Sequence, residues 1–194
     1  MLTFFRLNSL FQVITLLILL LILRLPFFAN GLPLLTTDLE YILTGEKLNE
    51  GLRLYSGILT QIGPLAGFFY GLMDVWAGKS PFLYEIVATV LIFGQTLYFV
   101  YIVNRRNLFN EKNYVAGLFF LIIISASFDL NKLSPALLSN IFILGALNVV
   151  LRQVEKRDGV GDDIFEAGLF IGFATLFHLS ACVYILWACI GLAL

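Results

Sequence analysis

Two carboxylates one residue apart, Asp38 and Glu40, are the side chains in this sequence best suited to chemistry. They follow the first long apolar segment, so we expect them in a loop just beyond it. Carboxylates at positions i and i+2 could hold Mg²⁺ or Mn²⁺, or one of them could act as a general base. A structural role is the alternative, because Thr37 and Glu40 match a capping box and acids suit the first turn of a helix.

Two other residues, Glu85 and His178, are candidates for binding a substrate. Glu85 would lie in the first turns of an apolar helix. An acid inside a membrane favours a functional role, although near the interface the cost of burying it falls. His178 stands in an apolar stretch, where it could carry a proton or bind a ligand. The alternative is a structural histidine that bonds a backbone carbonyl.

A polar turn late in the chain could add to the same site. Asp129, Asn131 and Lys132 separate two short apolar segments, and we predict that they top a helical hairpin. This places them on the same side as Asp38 and Glu40. As a polar turn they need no function.

The composition indicates a membrane protein. Of the 194 residues 60% are hydrophobic and 13% are charged, and the mean hydropathy is +0.93, whereas soluble domains are about 45–50% apolar and about 25% charged. With a net charge of −1, no basic patch argues for nucleic-acid binding. Cys182 and Cys189 are separated by about 10 Å of helix rise, too far for a disulfide, and one histidine cannot complete a zinc site with them.

The apolar segments predict an all-α, polytopic membrane protein with a single transmembrane domain over residues 1–194. A first span is expected at 9–28, with Arg24 reaching the interface near its end. Further membrane helices are predicted at 81–103, 114–128 and 135–151. Residues 164–194 are too long for one comfortable span and favour two short helices that break near His178.

The elements that must position the candidate residues lie between 31 and 80. We predict one or two short amphipathic helices on the membrane surface within 36–55, with Gly45 as a C-cap and Gly51 as a second break. Pro64 fits the first turn of a helix to about residue 76, too short to span. The alternative is one span over 54–73, kinked at Pro64.

The positive-inside rule predicts a cytoplasmic N-terminus, an outward-facing segment at 31–80 and a cytoplasmic loop at 152–163. This orientation puts seven basic residues inside and five outside. The seven are Arg6, Arg105, Arg106, Lys112, Arg152, Lys156 and Arg157, and the five are Arg24, Lys47, Arg53, Lys79 and Lys132.

The order of these parts resembles the N-terminal half of the GT-C membrane glycosyltransferases. The resemblance rests on the pair at 38–40, a Gly-x-x-Leu-Tyr stretch at 51–55, Pro-Leu at 64–65, Gly-Lys-Ser at 78–80 and the arginines at 105–106. GT-C enzymes take sugars from polyprenyl-phosphate donors and carry a catalytic acid in the first outward loop. The resemblance implies that Asp38 is the base or metal ligand, that Glu40 supports it, and that Arg53 or Lys79 meets the lipid phosphate.

The chain is also similar to an uncharacterised family of Bacteroidota inner-membrane proteins, at residues 45–48, 63–65 and 133–137. That similarity implies the bacterial cytoplasmic membrane and a lipid environment. The other function that stays open is a non-catalytic subunit of a transport, secretion or other envelope complex, with protein partners. A chain that stops inside an apolar run could be part of a longer protein or need a partner to cover its last helix.

Overall fold

The structure is a computed structural model that describes residues 10–30, 36–78, 80–109, 114–127, 129–156 and 160–193. In these ranges it contains eight α-helices and one 3₁₀ turn. The helices are α1 (Leu10–Asn30), α2 (Thr36–Asn49), α3 (Pro64–Ala77), α4 (Pro81–Arg105), α5 (Val115–Ala126), α6 (Pro135–Lys156), α7 (Val160–Phe177) and α8 (Tyr184–Ala193), and the 3₁₀ turn spans Leu179–Val183. The prediction of an all-helical chain is confirmed for this part of the chain.

Two of the described helices have the length and composition of a membrane span. They are α4, over Pro81–Arg105, and α6, over Pro135–Val154. A bilayer core about 30 Å thick needs about 20 apolar residues in a helix, and both helices meet that requirement. Shorter apolar stretches lie at Phe11–Pro26, Val115–Ala126 and Leu179–Gly191.

Proline marks the start of three helices. Pro64, Pro81 and Pro135 open α3, α4 and α6. Proline suits the first helical turn because its missing N–H would have no partner inside the helix. The helix predicted from Pro64 therefore begins where expected. Because residues 56–57 and 59–63 precede it without helical structure, the alternative of one kinked span over 54–73 is not formed.

The predicted C-cap at Gly45 is wrong, because α2 runs through this residue to Asn49. Gly45 is buried where α2 crosses α3, and a Cβ built there would lie 2.5 Å from the carbonyl oxygen of Tyr70. The glycine is therefore needed for close helix packing rather than for ending the helix. The break at Gly51 is confirmed, since the chain turns there with φ of +89°.

The stretch 152–163, predicted as a loop, is mostly helical. Helix α6 continues to Lys156 and α7 begins at Val160. Arg152 forms ion pairs with Asp163 and Glu166 and so ties the two helices together. Charges that indicate a solvated loop in the sequence thus pair with one another in the fold, and the acids also suit the first turns of α7.

Two groups of buried side chains form the core. The larger joins α1, α3, α4, α5 and the start of α6, with Tyr70, Ile92 and Leu137 at its centre. The smaller joins α6, α7 and α8 around Val149 and Ile171. The break between α7 and the 3₁₀ turn falls at His178, as predicted. This break meets α2 and the segment before α3 at the candidate site.

Candidate functional site

A cavity of about 640 Å³ lies between α2, residues 59–63 and the end of α7. Its polar side chains are Thr37, Glu40, Thr60, Gln61 and His178, with the ring of Tyr41 beside them. Leu59, Ile62, Pro135 and Phe177 form apolar parts of the wall. Binding sites for small molecules have this size and this mixture of apolar walls with a few polar groups.

Glu40 is held in the cavity by the segment that precedes α3. The hydroxyl of Thr60 donates a hydrogen bond to Oε1 of Glu40 at 2.9 Å, and the backbone N–H of Ile62 donates to Thr60 Oγ1 at 3.3 Å. Glu40 itself is exposed. The carboxylate is therefore oriented from across the cavity and remains accessible to a ligand.

His178 enters the cavity from the helix break. Its backbone N–H donates to the carbonyl of Ala174 at 2.9 Å, and its carbonyl accepts from Ala181 at 2.9 Å. These two bonds end α7 and begin the 3₁₀ turn, so the backbone position of the histidine is fixed. Gly63 allows the close approach of the opposite wall, because a Cβ there would lie 2.3 Å from the Leu176 carbonyl oxygen.

The side chains of Asp38 and Glu40 line different cavities. Residues two apart on a helix are separated by about 200° around its axis. Asp38 consequently lines a second, smaller pocket of about 50 Å³ with Tyr70, Tyr84 and Glu85. There its carboxylate pairs with Lys132, with Oδ1 2.7 Å and Oδ2 2.9 Å from Nζ.

The residues present do not fit Mg²⁺ or Mn²⁺. Such an ion needs several oxygen ligands gathered at one point. The charge of Asp38 is met by Lys132, whereas Glu40 is engaged by Thr60 in the other cavity. Across the ranges that the structure describes, no three histidine, cysteine, aspartate or glutamate side chains come together as a metal-binding set.

The predicted substrate-binding residues are divided in the same way. His178 lines the larger cavity with Glu40, and Glu85 lines the smaller pocket, where it is 7% exposed. Arg53 is an exposed residue of the connection between α2 and α3, and it is not among the residues that line either cavity. Lys79 lies outside the described residues. The roles proposed for all of these side chains stay predictions.

Arg24 does not reach the interface, contrary to the expectation from the sequence. It is 1% exposed and donates a hydrogen bond to the backbone carbonyl of Asn131. The carboxylate of Glu85 also attracts it. A buried arginine is tolerated because these two partners compensate for part of the lost hydration.

Asn131, Lys132, Leu133 and Ser134 form what we call the 131–134 turn. The hydroxyl of Tyr70 donates to the carbonyl of Leu133 at 2.7 Å. Ser134 donates to the carbonyl of Asp129 at 2.6 Å and accepts from the N–H of Leu137 at 3.1 Å, which caps the start of α6. The turn is thus fixed by contacts from several helices. In the sequence Tyr70 carries no signal of this role, because it stands in an aromatic run.

Acidic side chains lie near the wall of the larger cavity that Tyr41 forms. Burial raises the pKa of the Tyr41 phenol, and the nearby carboxylates of Asp38, Asp129 and Glu40 raise it further. A neutral, hydroxyl-rich group or a cationic group suits this part of the cavity better than an anion.

An apolar groove of about 230 Å³ adjoins the larger cavity. Leu39, Leu43, Ile58 and Leu59 are its apolar lining residues, and Lys47 also lines it. Leu59 is 94% exposed. Glu40 and Leu59 line both spaces, so the apolar groove and the polar cavity meet at these residues.

No protein-family model, curated protein or solved structure matches this chain.

Proposed function

We propose that the chain is a multi-pass protein of the bacterial inner membrane with a GT-C-like arrangement, and that it handles a polyprenyl-phosphate-linked sugar at the extracytoplasmic face. The apolar composition and the helices α4 and α6 support the membrane assignment. The count of basic residues supports a cytoplasmic N-terminus, which places the cavity beside α2 on the outside.

The observation that carries this proposal is the junction of the polar cavity with the apolar groove at Glu40 and Leu59. A ligand that fills both spaces must have a polar end and an apolar chain. A sugar linked through phosphate to a polyprenyl chain has this chemistry. Lys47, which also lines the apolar groove, offers a positive charge to the phosphate.

The polar side chains of the cavity match a sugar. Hydroxyl groups both donate and accept hydrogen bonds, and the cavity provides a carboxylate, two hydroxyls, an amide and an imidazole. The carboxylate of Glu40 repels a phosphate, which favours the neutral sugar in this space. The phosphate then lies nearer to Lys47.

Glu40 is the candidate general base. In sugar transfer the acceptor oxygen forms a bond to the anomeric carbon while the bond from that carbon to the lipid phosphate breaks. The phosphate leaves with the electron pair, and the acceptor proton passes to the Glu40 carboxylate. Asp38, which the resemblance implied as the base, is engaged with Lys132, so Glu40 takes this role here.

The experiment is transfer of a labelled lipid-linked sugar by the protein in nanodiscs. A positioned base contributes about 10²- to 10⁴-fold to a rate, so we expect Glu40→Gln to lower kcat by at least about 100-fold. Glu50→Gln is the matched control, because Glu50 is an exposed acid that follows α2 directly. Equal transfer by Glu40→Gln and the wild type would rule out Glu40 as the base.

The second candidate is a non-catalytic subunit of a membrane transport, secretion or other envelope complex. The observation that favours it is the exposed apolar surface of the 3₁₀ turn and α8, where Leu179, Leu186 and Ile190 are 71%, 68% and 64% exposed. Purification in mild detergent distinguishes the two. A partner at constant stoichiometry, lost in Leu186→Lys, supports a subunit, whereas a monodisperse single chain counts against it.

A further inference from the structure

We infer that Asp38 is a positioning residue, whose ion pair with Lys132 holds the first half of α2 against the 131–134 turn. In this way it sets the spacing between Glu40 on α2 and His178 on the opposite wall of the cavity. The spatial part of this inference stands without the proposed function, and only its kinetic readout rests on it.

The ion pair is built to hold its geometry. Both carboxylate oxygens lie within 3 Å of Nζ, at 2.7 and 2.9 Å, and the side chains of Lys132 and Asp38 are only 9% and 12% exposed. Charges at this depth are screened little by salt and attract each other more strongly than on the surface. The two residues are 94 positions apart, so the pair joins distant parts of the chain.

The turn is the fixed side of this contact. Arg24 of α1 bonds the carbonyl of Asn131, and Tyr70 of α3 bonds the carbonyl of Leu133. Ser134 ties the turn to α6 through the N–H of Leu137. These bonds remain when Asp38 is changed. Pro135, which follows the turn directly, is itself a wall of the cavity.

The second half of α2 is held separately, on α3. Gly45 lies against the backbone at Tyr70, and Asn49 donates to the carbonyl of Gly71 at 2.9 Å and to Asp74 at 2.8 Å. Glu40 lies in the first half, two residues from Asp38. The first half also contacts the rest of the chain through the Thr60–Glu40 hydrogen bond and the rings of Tyr41 and Tyr70. Loss of the ion pair should therefore loosen, and not detach, the part of α2 that carries Glu40, while the second half stays in place.

Spin-label distances in nanodiscs test this inference without any substrate. In a chain with Cys182→Ser and Cys189→Ser, the pair Leu39→Cys and Leu179→Cys reports on the first half of α2 against the helix break. The pair Leu52→Cys and Leu179→Cys is the control for the end of α2, because Leu52 follows this helix closely and its N–H donates to the carbonyl of Lys47 at 3.1 Å. All three labelled residues are exposed.

We expect Asp38→Asn to broaden and shift the Leu39–Leu179 distances while the Leu52–Leu179 distances keep their wild-type distribution. The swap of Asp38→Lys with Lys132→Asp should restore the wild-type distribution. If Asp38→Asn does not fold, Asp38→Ala with Lys132→Ala removes both charges and should produce the same broadening. Unchanged Leu39–Leu179 distances in the folded variants overturn the inference.

Sugar transfer separates positioning from chemistry. A lysine at position 38 cannot act as a carboxylate base, so recovery of transfer in the charge swap supports positioning. Transfer that stays as low in the swap as in Glu40→Gln, with normal distances, overturns it by showing a direct chemical role for Asp38. If the wild type transfers no sugar, the proposed function fails while the distances still decide this inference.

Discussion

At the scale of single residues, the surroundings of two acids set their roles. Glu40 is exposed and accepts a hydrogen bond from Thr60, and its carboxylate is accessible from a cavity large enough for a ligand. Asp38 is half-buried and paired with a lysine. Both oxygens of the Asp38 carboxylate lie against the Lys132 ammonium group, so this side chain serves the contact with the 131–134 turn.

The ionisation of Tyr41 can be checked directly. Burial and nearby carboxylates raise its pKa above the usual value of about 10. A phenol with a raised pKa favours the folded state below pH 10, and this contribution is lost as the pH rises through the folded pKa. We expect the phenolate absorbance that disappears in Tyr41→Phe to titrate above pH 10. Titration of that component at or below pH 10 would contradict the described environment.

At the scale of elements, the packing of α2 on α3 depends on one glycine. Gly45 brings α2 so close to α3 that a Cβ would collide with backbone atoms, which cannot move as a side-chain tip can. The contact has a functional consequence, because α2 carries Glu40 and the edge of the apolar groove. The distance between α2 and α3 at Gly45 therefore affects the position of Glu40 in the cavity.

Gly45→Ala should destabilise the fold. Overpacking in a tight contact costs about 1–3 kcal/mol, more than the roughly 0.5–1 kcal/mol that alanine gains over glycine in a helix. Gly94→Ala is the control, since a Cβ at this helical glycine meets no atom within 4 Å. Thermal unfolding in detergent should show a lower Tm for Gly45→Ala and an equal or higher Tm for Gly94→Ala. Equal Tm values for Gly45→Ala and the wild type would refute the tight contact.

At the scale of the whole molecule, most helices could be predicted from the sequence, whereas the contacts between them could not. Pro64, Pro81 and Pro135 mark helix starts through local backbone chemistry, and the length of the apolar run after residue 164 predicts the break that the structure has at His178. The contact between Arg24 and Asn131 joins residues 107 apart. No local pattern encodes such a pairing. From the sequence alone, Arg24 in an apolar helix is therefore predicted to reach the membrane interface.

The division of Asp38 and Glu40 between two pockets could be predicted only in part. Helix geometry alone predicts that residues two apart diverge, provided that the helix already includes both of them. The sequence alone predicts a loop or the first turn of a helix for Asp38 and Glu40, where two carboxylates can converge. Because α2 already begins at Thr36, both residues lie within the helix and their side chains diverge.

The orientation of the molecule is open to a test on spheroplasts. In a Cys182→Ser, Cys189→Ser chain, Ser56→Cys lies in the segment proposed to face outward, and Asn107→Cys follows the end of α4. Both positions are exposed. A membrane-impermeant maleimide should label Ser56→Cys in intact spheroplasts and Asn107→Cys only after permeabilisation. The reverse pattern would invert the proposed orientation, and the cavity would then face the cytoplasm.

The 94-residue separation between Asp38 and Lys132 also has a consequence during translation. Ribosomes add about 5–20 residues per second, so Lys132 is synthesised on the order of 5 to 20 s after Asp38. Throughout that interval the nascent chain has neither the ammonium group for Asp38 nor the carbonyl group of Asn131 for Arg24. The wall that carries Glu40 can therefore be completed only after residue 132 has been synthesised, when α6 is about to follow.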